Sequence, residues 1–161
     1  MLSILLAEPQ DAARLAEVQK RTFDEDARRF QNKAEDGPPG YDSSSWQSEM
    51  MEKGRYYKLL ADEHIIGGML VFASPDEQEL HLGRIFIDQL YQNRGYGQDA
   101  FHFLFNTFPT AHKWTLDTPS WAVRNHYFYK KLGFVQTAEV QIEESGETLI
   151  QYERTTAEEH L

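Results

Sequence analysis

The sequence predicts a mixed α/β domain: one central, mostly antiparallel twisted sheet carrying helices on both faces. Three observations point there. Apolar residues switch between strand and helix spacing along the chain without any internal repeat, three strand-like runs separated by tight turns follow one another in the middle, and a strand, helix, strand succession comes after them. The 161 residues are the length of a single domain, expected over 1–161.

Leu2, Ile4, Leu5 and Leu6 form an apolar start that reads as a strand over residues 2–7. It is too short to span a bilayer and has no basic leader, so neither a signal peptide nor a membrane anchor is expected. Pro9 and Asp11 suit the first turn of a helix, and Ala12, Leu15, Ala16, Phe23, Ala27 and Phe30 recur at helical spacing behind them. Residues 31–45, with Gly37-Pro38-Pro39-Gly40 and three serines, form a long loop of the kind that serves function. A short helix over 46–53 ends at Gly54. Strands follow over 56–61, 65–73 and 80–87, with turns at 62–64 and 74–76, and read as an antiparallel meander. Phe101, Leu104, Phe105 and Phe108 put an apolar stripe on a helix over 97–108 that stops before Pro109. A strand over 113–117, a helix over 121–132 closed by Gly133, and strands over 134–142 and 148–153 joined by the acidic turn 143–147 complete the order. The strand, helix, strand segment at its centre requires a right-handed parallel crossover.

Composition mainly excludes. Sixteen Lys and Arg against 26 Asp and Glu give a net charge of −10, the wrong sign for neutralising a phosphate backbone, so a nucleic-acid partner is not expected. With no cysteine there is no disulfide, zinc thiolate site, iron–sulfur cluster or cysteine-linked intermediate, which fits a cytoplasmic setting. The six histidines are scattered and lack the spacing of a metal site, so no metal is expected. Ser43-Ser44-Ser45 lacks the Gly-x-Ser-x-Gly elbow of a serine hydrolase.

Two segments carry chemistry. Gln92-Asn93-Arg94-Gly95-Tyr96-Gly97 lies between a strand and a helix, where glycines let the backbone approach a ligand and the unpaired N–H groups of the first helical turn face it. Phosphate or pyrophosphate is the natural guest. No Gly-Lys-Ser/Thr follows, and Ala100 occupies the last glycine place of a dinucleotide fingerprint, so neither a P-loop nor a dinucleotide fold is expected. Downstream, Tyr127-Phe128-Tyr129-Lys130-Lys131-Leu132-Gly133-Phe134 ends a helix. Glycine capping explains Gly133 and the helix dipole explains the lysines, but neither explains three successive aromatics.

These two segments, in this element order, resemble the GNAT superfamily of N-acetyltransferases. QNRGYG is similar to its Q/R-x-x-G-x-G/A loop and FYKKLGF to its F-Y-x-K-x-G-F segment, and the likeness runs over nearly the whole chain. The resemblance implies acetyl-CoA as cosubstrate and direct transfer of acetyl to a primary amine of a small molecule or peptide; the alternative is a CoA-binding sensor or interaction domain without catalysis. It implies that backbone N–H groups of Gln92, Asn93, Arg94, Gly95, Tyr96, Gly97 and Gln98 hold the pyrophosphate. Ile85, Phe86 and Ile87 would pair with the pantetheine arm, one amide polarising the thioester. Tyr129 would protonate the leaving thiolate, a role that suits a phenol. The family asparagine seven residues before this tyrosine is Ala122 here; Asn125 either reaches the cofactor or is a plain surface amide. Glu79, with His81 two residues on and on the same face of its strand, is the first choice for general base and His81 the second.

The resemblance also places the acceptor between the 31–45 loop, with Phe30, Tyr41 and Trp46, and the 143–147 turn. Glu35, Asp36, Asp42, Glu143, Glu144 and Glu147 make both rims acidic, so a cationic acceptor is expected. The assembly is expected to be a monomer or a homodimer.

Overall fold

The computed structural model describes residues 1–156; the last five positions of the domain expected over 1–161 lie outside the described residues. Its seven strands are β1 (Leu2–Leu6), β2 (Arg55–Ala61), β3 (His64–Ala73), β4 (Glu79–Ile87), β5 (Lys113–Pro119), β6 (Val135–Gln141) and β7 (Thr148–Thr155). The helices are α1 (Ala12–Phe30), α2 (Ser44–Lys53), α3 (Tyr96–Thr107) and α4 (Val123–Lys131). They form one sheet in the order β1-β2-β3-β4-β5-β7-β6, antiparallel throughout except between β4 and β5. This is the mixed α/β architecture expected from the sequence, and α3 is the helix of its parallel crossover.

Local chemistry sets the register of the meander. Asp62 and Glu63 both take positive φ, 52° and 66°, so β2 and β3 are joined by a two-residue turn of the hairpin type that pairs Ala61 with His64. Strand alternation then sends side chains to two separate apolar layers. On one face, Leu15 and Val18 of α1 pack with Tyr56, Leu70 and Phe86 of the sheet. On the other, Phe101 and Leu104 of α3 pack with Leu59, Met69, Val71, Trp114, Leu116 and Tyr152.

The first of these layers is incomplete. Helices α1 and α2 pack on β2, β3 and β4. On β5 and β7 the residues on the α3 side, Trp114, Leu116, Thr118, Ile150 and Tyr152, are buried, whereas Thr115, Asp117, Gln151 and Glu153 on the opposite side are exposed or half-buried. That half of the sheet is bare.

Strands β4 and β5 stay paired only from Glu79–Lys113 to Leu82–Leu116. At that point β4 contains a bulge: Leu70 of β3 pairs with Arg84 and Val71 pairs with Leu82, leaving Gly83 as the extra residue. A Cβ at position 83 would lie 2.7 Å from the Phe72 ring, so the bulge is closed to larger residues. Beyond it β4 and β5 diverge.

Two boundaries differ from the sequence reading. Helix α2 starts at Ser44 rather than 46, because the Ser43 Oγ accepts from the Trp46 N–H at 3.1 Å and caps it. The helix expected over 121–132 starts at Val123. Ser120 still pairs with β7 through Thr148 at 2.9 Å, and Ala122 sits at φ −82° and ψ 68°, outside the helical region. Trp121 is therefore in the connecting turn.

Phe101 is fully buried, with its ring edge-on to Phe128, Tyr129 and Phe134. Replacing it by alanine is expected to lower the free energy of unfolding by about 3–5 kcal/mol, read from urea denaturation midpoints at unchanged slope.

Candidate active site

The divergence of β4 and β5 opens a cleft of about 380 Å³. Ile85, Phe86 and Ile87 form one wall, the loop from Tyr91 to Gln98 a second, the start of α4 with Trp121 a third, and the exposed end of α1 the roof. Backbone polarity in the first wall follows from strand alternation. The Asp88 N–H bonds back to Ile66 on β3, so Ile87, and Ile85 two residues earlier, turn their N–H and C=O groups toward the gap.

The loop wall is tied down at both ends. Asp88 is buried, accepts from the Leu90 N–H at 3.0 Å and from Arg21 Nε at 3.1 Å, and so anchors the loop to α1. Gln92 Nε2 donates to the Ile87 carbonyl at 2.8 Å, which fixes the loop against the end of β4. Asn93 and Gly95 take positive φ, 64° and 81°, and Gly95 caps α3 without any side-chain acceptor. The first N–H groups of α3 have no partner among the described residues and border the cleft; at the start of α4, which also lacks a side-chain cap, the Val123 and Asn125 N–H groups are bonded to the Trp121 and Ala122 carbonyls and that of Arg124 is left without a partner among the described residues. Two helix N-termini thus converge on one space, a field that favours an anion. Arg124 is the only cation in the walls, and its Nη2 lies 3.4 Å from Asn93 Oδ1 across the gap.

Tyr129 forms the floor. Its ring sits among Phe101, Phe128, Phe134 and Tyr152, and burial pushes its phenol above the ordinary range. The hydroxyl has no protein partner among the described residues. Since no fully buried side-chain polar atom there is left unpaired, the hydroxyl opens on the cleft. Its neighbour His126 holds the α4 wall. His126 Nε2 faces the Pro119 and Ser120 carbonyls at 3.0 and 3.2 Å and must donate, so Nδ1 accepts from the Tyr152 hydroxyl at 2.6 Å.

The roof is made by side chains. Phe30 stacks on Trp121 with centroids 6.2 Å apart, joining the end of α1 to the β5–α4 turn, and Trp121 Nε1 reaches Glu147 Oε2 in the β6–β7 turn at 3.5 Å. One helical turn before Phe30, Asp26 contributes the only carboxylate in the walls. No cation lies within ion-pair distance of it among the described residues. Burial raises its pKa above the ordinary 3.8, although Arg124 and Arg29 act in the opposite direction.

Residues 17–134 match the Acetyltransferase (GNAT) family. This chain belongs to the GNAT family. Solved structures share its fold at low identity. The ribosomal-protein-S18-alanine N-acetyltransferase from Escherichia coli is similar at a TM-score of 0.78 and 17% identity, covering 100% of this chain and 99% of that one. The PaiA N-acetyltransferase from Thermoplasma acidophilum, solved in complex with coenzyme A, gives 0.77 and 13%, covering 97% and 99%. A chimera of spermidine N-acetyltransferase SpeG from Vibrio cholerae and hSSAT gives 0.73 and 15%, covering 96% and 95%. No curated protein sequence matches the chain.

Of the residues singled out in this GNAT sequence, the fold brings Ile85, Phe86, Ile87, Gln92, Asn93, Gly95, Tyr96, Gly97, Gln98, Asn125 and Tyr129 to the cleft. Ala122 lines it as well, and Asn125 Nδ2 is 3.3 Å from Thr118 Oγ1. Arg94 does not line it: its guanidinium donates to the Leu90 carbonyl at 3.2 Å and covers the Tyr91 ring. Glu79 and His81 are not brought there either. They occupy a separate shallow depression at the paired end of β4, where His81 Nδ1 meets Thr115 Oγ1 at 2.8 Å. Six residues of strand, roughly 20 Å, separate Glu79 from Ile85. Sequence reasoning passed over Asp26, Arg124 and Trp121. The spacing Thr22, Asp26, Phe30 was the available signal, since residues four apart share a helix face.

Because the folded state holds the Asp26 proton more tightly than the unfolded chain, this group makes stability fall as pH rises through and above 3.8. Asp26→Asn is therefore expected to be more stable than the wild type at pH 7, with the difference disappearing below about pH 4; thermal melts across pH 3–8 read it.

Proposed function

We propose that this GNAT chain is an acetyl-CoA-dependent N-acetyltransferase that delivers acetyl directly to a primary amine of a small molecule or peptide. The observation that carries the reading is the Tyr129 hydroxyl, without a partner among the described residues and open to a cleft that also presents a strand edge and the unpaired first N–H groups of α3. The similar fold solved with coenzyme A, and those named for alanine and spermidine N-acetylation, support it.

The cleft residues fit such a cosubstrate. N–H groups from Asn93 to Gln98 and that of Arg124 would take the pyrophosphate, with the Arg124 side chain supplying local positive charge. The backbone groups of Ile85 and the Ile87 N–H would pair with the pantetheine arm, and one N–H would meet the thioester oxygen where negative charge develops. Acetyl-CoA brings the acetyl group as a thioester, activated toward an amine.

Asp26, and not the distant Glu79, is placed to take a proton from the incoming ammonium, directly or through water. The freed nitrogen lone pair forms the new bond to the carbonyl carbon and the carbon–sulfur bond breaks. Tyr129 gives its proton to the departing thiolate and recovers one from solvent, while the nitrogen loses its second proton to water, or to Asp26 once that group has passed the first to solvent. Burial of Tyr129 keeps the phenol protonated at neutral pH, so a proton is in place where the thiolate forms beside it in the same desolvated setting. Phe30 and Trp121 close the site from above and limit water.

The acidic rims contribute less charge than their composition suggests. Lys20 holds Glu35 at 2.8 Å and Lys33 holds Asp36 at 3.3 Å. Asp26 is the carboxylate that lies in the cleft wall itself.

Release of free CoA thiol from acetyl-CoA with an amine panel tests the reading. Tyr129→Phe is expected to lower kcat by roughly 100-fold or more while leaving CoA affinity by calorimetry nearly unchanged. CoA binding with no thiol release from any amine would instead favour a sensor. Asp26→Asn is expected to lower kcat/KM at pH 7, with part of the loss recovered at pH 9, where more of the amine is already deprotonated; a loss independent of pH would remove Asp26 from the proton path.

A further inference from the structure

Arg84 is a cation without a counter-ion among the described residues. It follows the Gly83 bulge and precedes Ile85, the first β4 residue in the cleft wall, and its side chain projects to the face that carries α1 and α2. Among the described residues no carboxylate lies within ion-pair distance. Leaving a half-buried guanidinium unpaired is costly, and the surroundings stabilise it only with neutral groups.

Those groups hold it in a defined orientation. The Gly40 carbonyl can only accept, so the Gln47 side chain must turn its Nε2 toward it, at 3.2 Å. Gln47 Oε1 then accepts from Gln19 Nε2 at 3.1 Å, and Gln19 Oε1 is left for Arg84 Nη1 at 2.9 Å. Gln19 and Gln47 are both fully buried, Tyr56 closes the network through its hydroxyl, and the Trp46 ring lies 4.2 Å from the guanidinium carbon.

The network engages one nitrogen and leaves the other edge free. Nε and Nη2 of Arg84 have no partner among the described residues, and since no fully buried side-chain nitrogen there is unpaired, both reach solvent. Gln19 and Trp46 cover the helix side of the guanidinium, and β5, the next strand of the sheet, packs no helix on that face. This edge presents two parallel N–H groups, the fork that matches a carboxylate.

We propose that Arg84 binds a carboxylate carried by the acceptor, so that the amine acetylated here is an amino acid or an amine with an acidic group. The inference rests on the transferase reading and adds the chemistry at the acceptor's other end. Asp26 receives the ammonium and Arg84 the carboxylate, a pairing of opposite charges that selects a zwitterion over a simple amine or a polyamine. Burial lowers the Arg84 pKa to about 10, which leaves the group charged at neutral pH.

The test compares α- and ω-amino acids with the matched amines lacking the carboxylate, by thiol release from acetyl-CoA. Among acceptors that turn over, the carboxylate-bearing member is expected to have the higher kcat/KM, by about 100-fold or more. Arg84→Met should erase the preference by lowering only the carboxylate series, and Arg84→Lys, which keeps the charge and loses the fork, should restore it in part. Equal or better kcat/KM for the bare amines, or an equal loss in both series for Arg84→Met, overturns the proposal. Failure of the transferase reading shows separately, as absence of thiol release from every acceptor. In that case tryptophan fluorescence of the CoA-saturated protein is followed during titration with N-acetylglycine and N-acetyl-ω-amino acids: a saturable change lost in Arg84→Met supports the carboxylate site, and a flat wild-type trace overturns it.

Discussion

The short ladder between β4 and β5 is the constraint on which the rest of this structure depends. Four residue pairs hold the two strands together, and the bulge at Gly83 then releases them. Had the parallel pairing continued, Ile85 and Ile87 would spend their backbone groups on Thr118 and its neighbours, and no cleft would exist. The crossover helix α3 starts beside the gap because the β4 chain must leave the sheet there, and α4 starts beside it because β5 ends there. One interruption of hydrogen bonding thus gathers a free strand edge and two helix N-termini.

Electrostatics explains how a chain of net charge −10 carries a space suited to an anion. The loop wall uses N–H groups and helix dipoles, whose local field does not depend on the sum of the side-chain charges. Much of the acidic excess near the site is already engaged. Asp24 is a case in point: burial works to raise its pKa, but hydrogen bonds from Lys20, Tyr41 and the Asp36 N–H lower it overall, so it tethers the 31–45 loop to α1 and is unavailable to a ligand. Asp26, two residues on, faces the cleft without such partners.

That contrast also marks how far the sequence could be read. Element order was legible because strand and helix periodicities are local, and the loop wall was legible because its glycines and the strand before it are contiguous. Helix ends were less so: Ser43 and the Ser120–Thr148 bond decide where α2 and α4 begin, and the second of these is tertiary. Within Asp24-Glu25-Asp26 nothing in the sequence distinguishes a residue bound to Lys20 and Tyr41, one paired with Arg28, and one left free. Glu79 looked suitable because it shares a strand with Ile85, but a strand is long compared with a catalytic site. Arg84 stands out in the apolar run of β4 only once the absence of an acidic neighbour is known.

The two sides of the cleft are made of different material. The loop wall is main chain, given shape by Gly95, Gly97 and the Gln92 bond to β4, while the roof and the α1 side consist of the side chains of Thr22, Phe23, Asp26, Phe30 and Trp121. Substitutions on the second side leave the first intact. Over evolutionary time such a scaffold can reshape its side-chain face by drift at a few helical positions, without passing through ancestors in which the main-chain wall was lost.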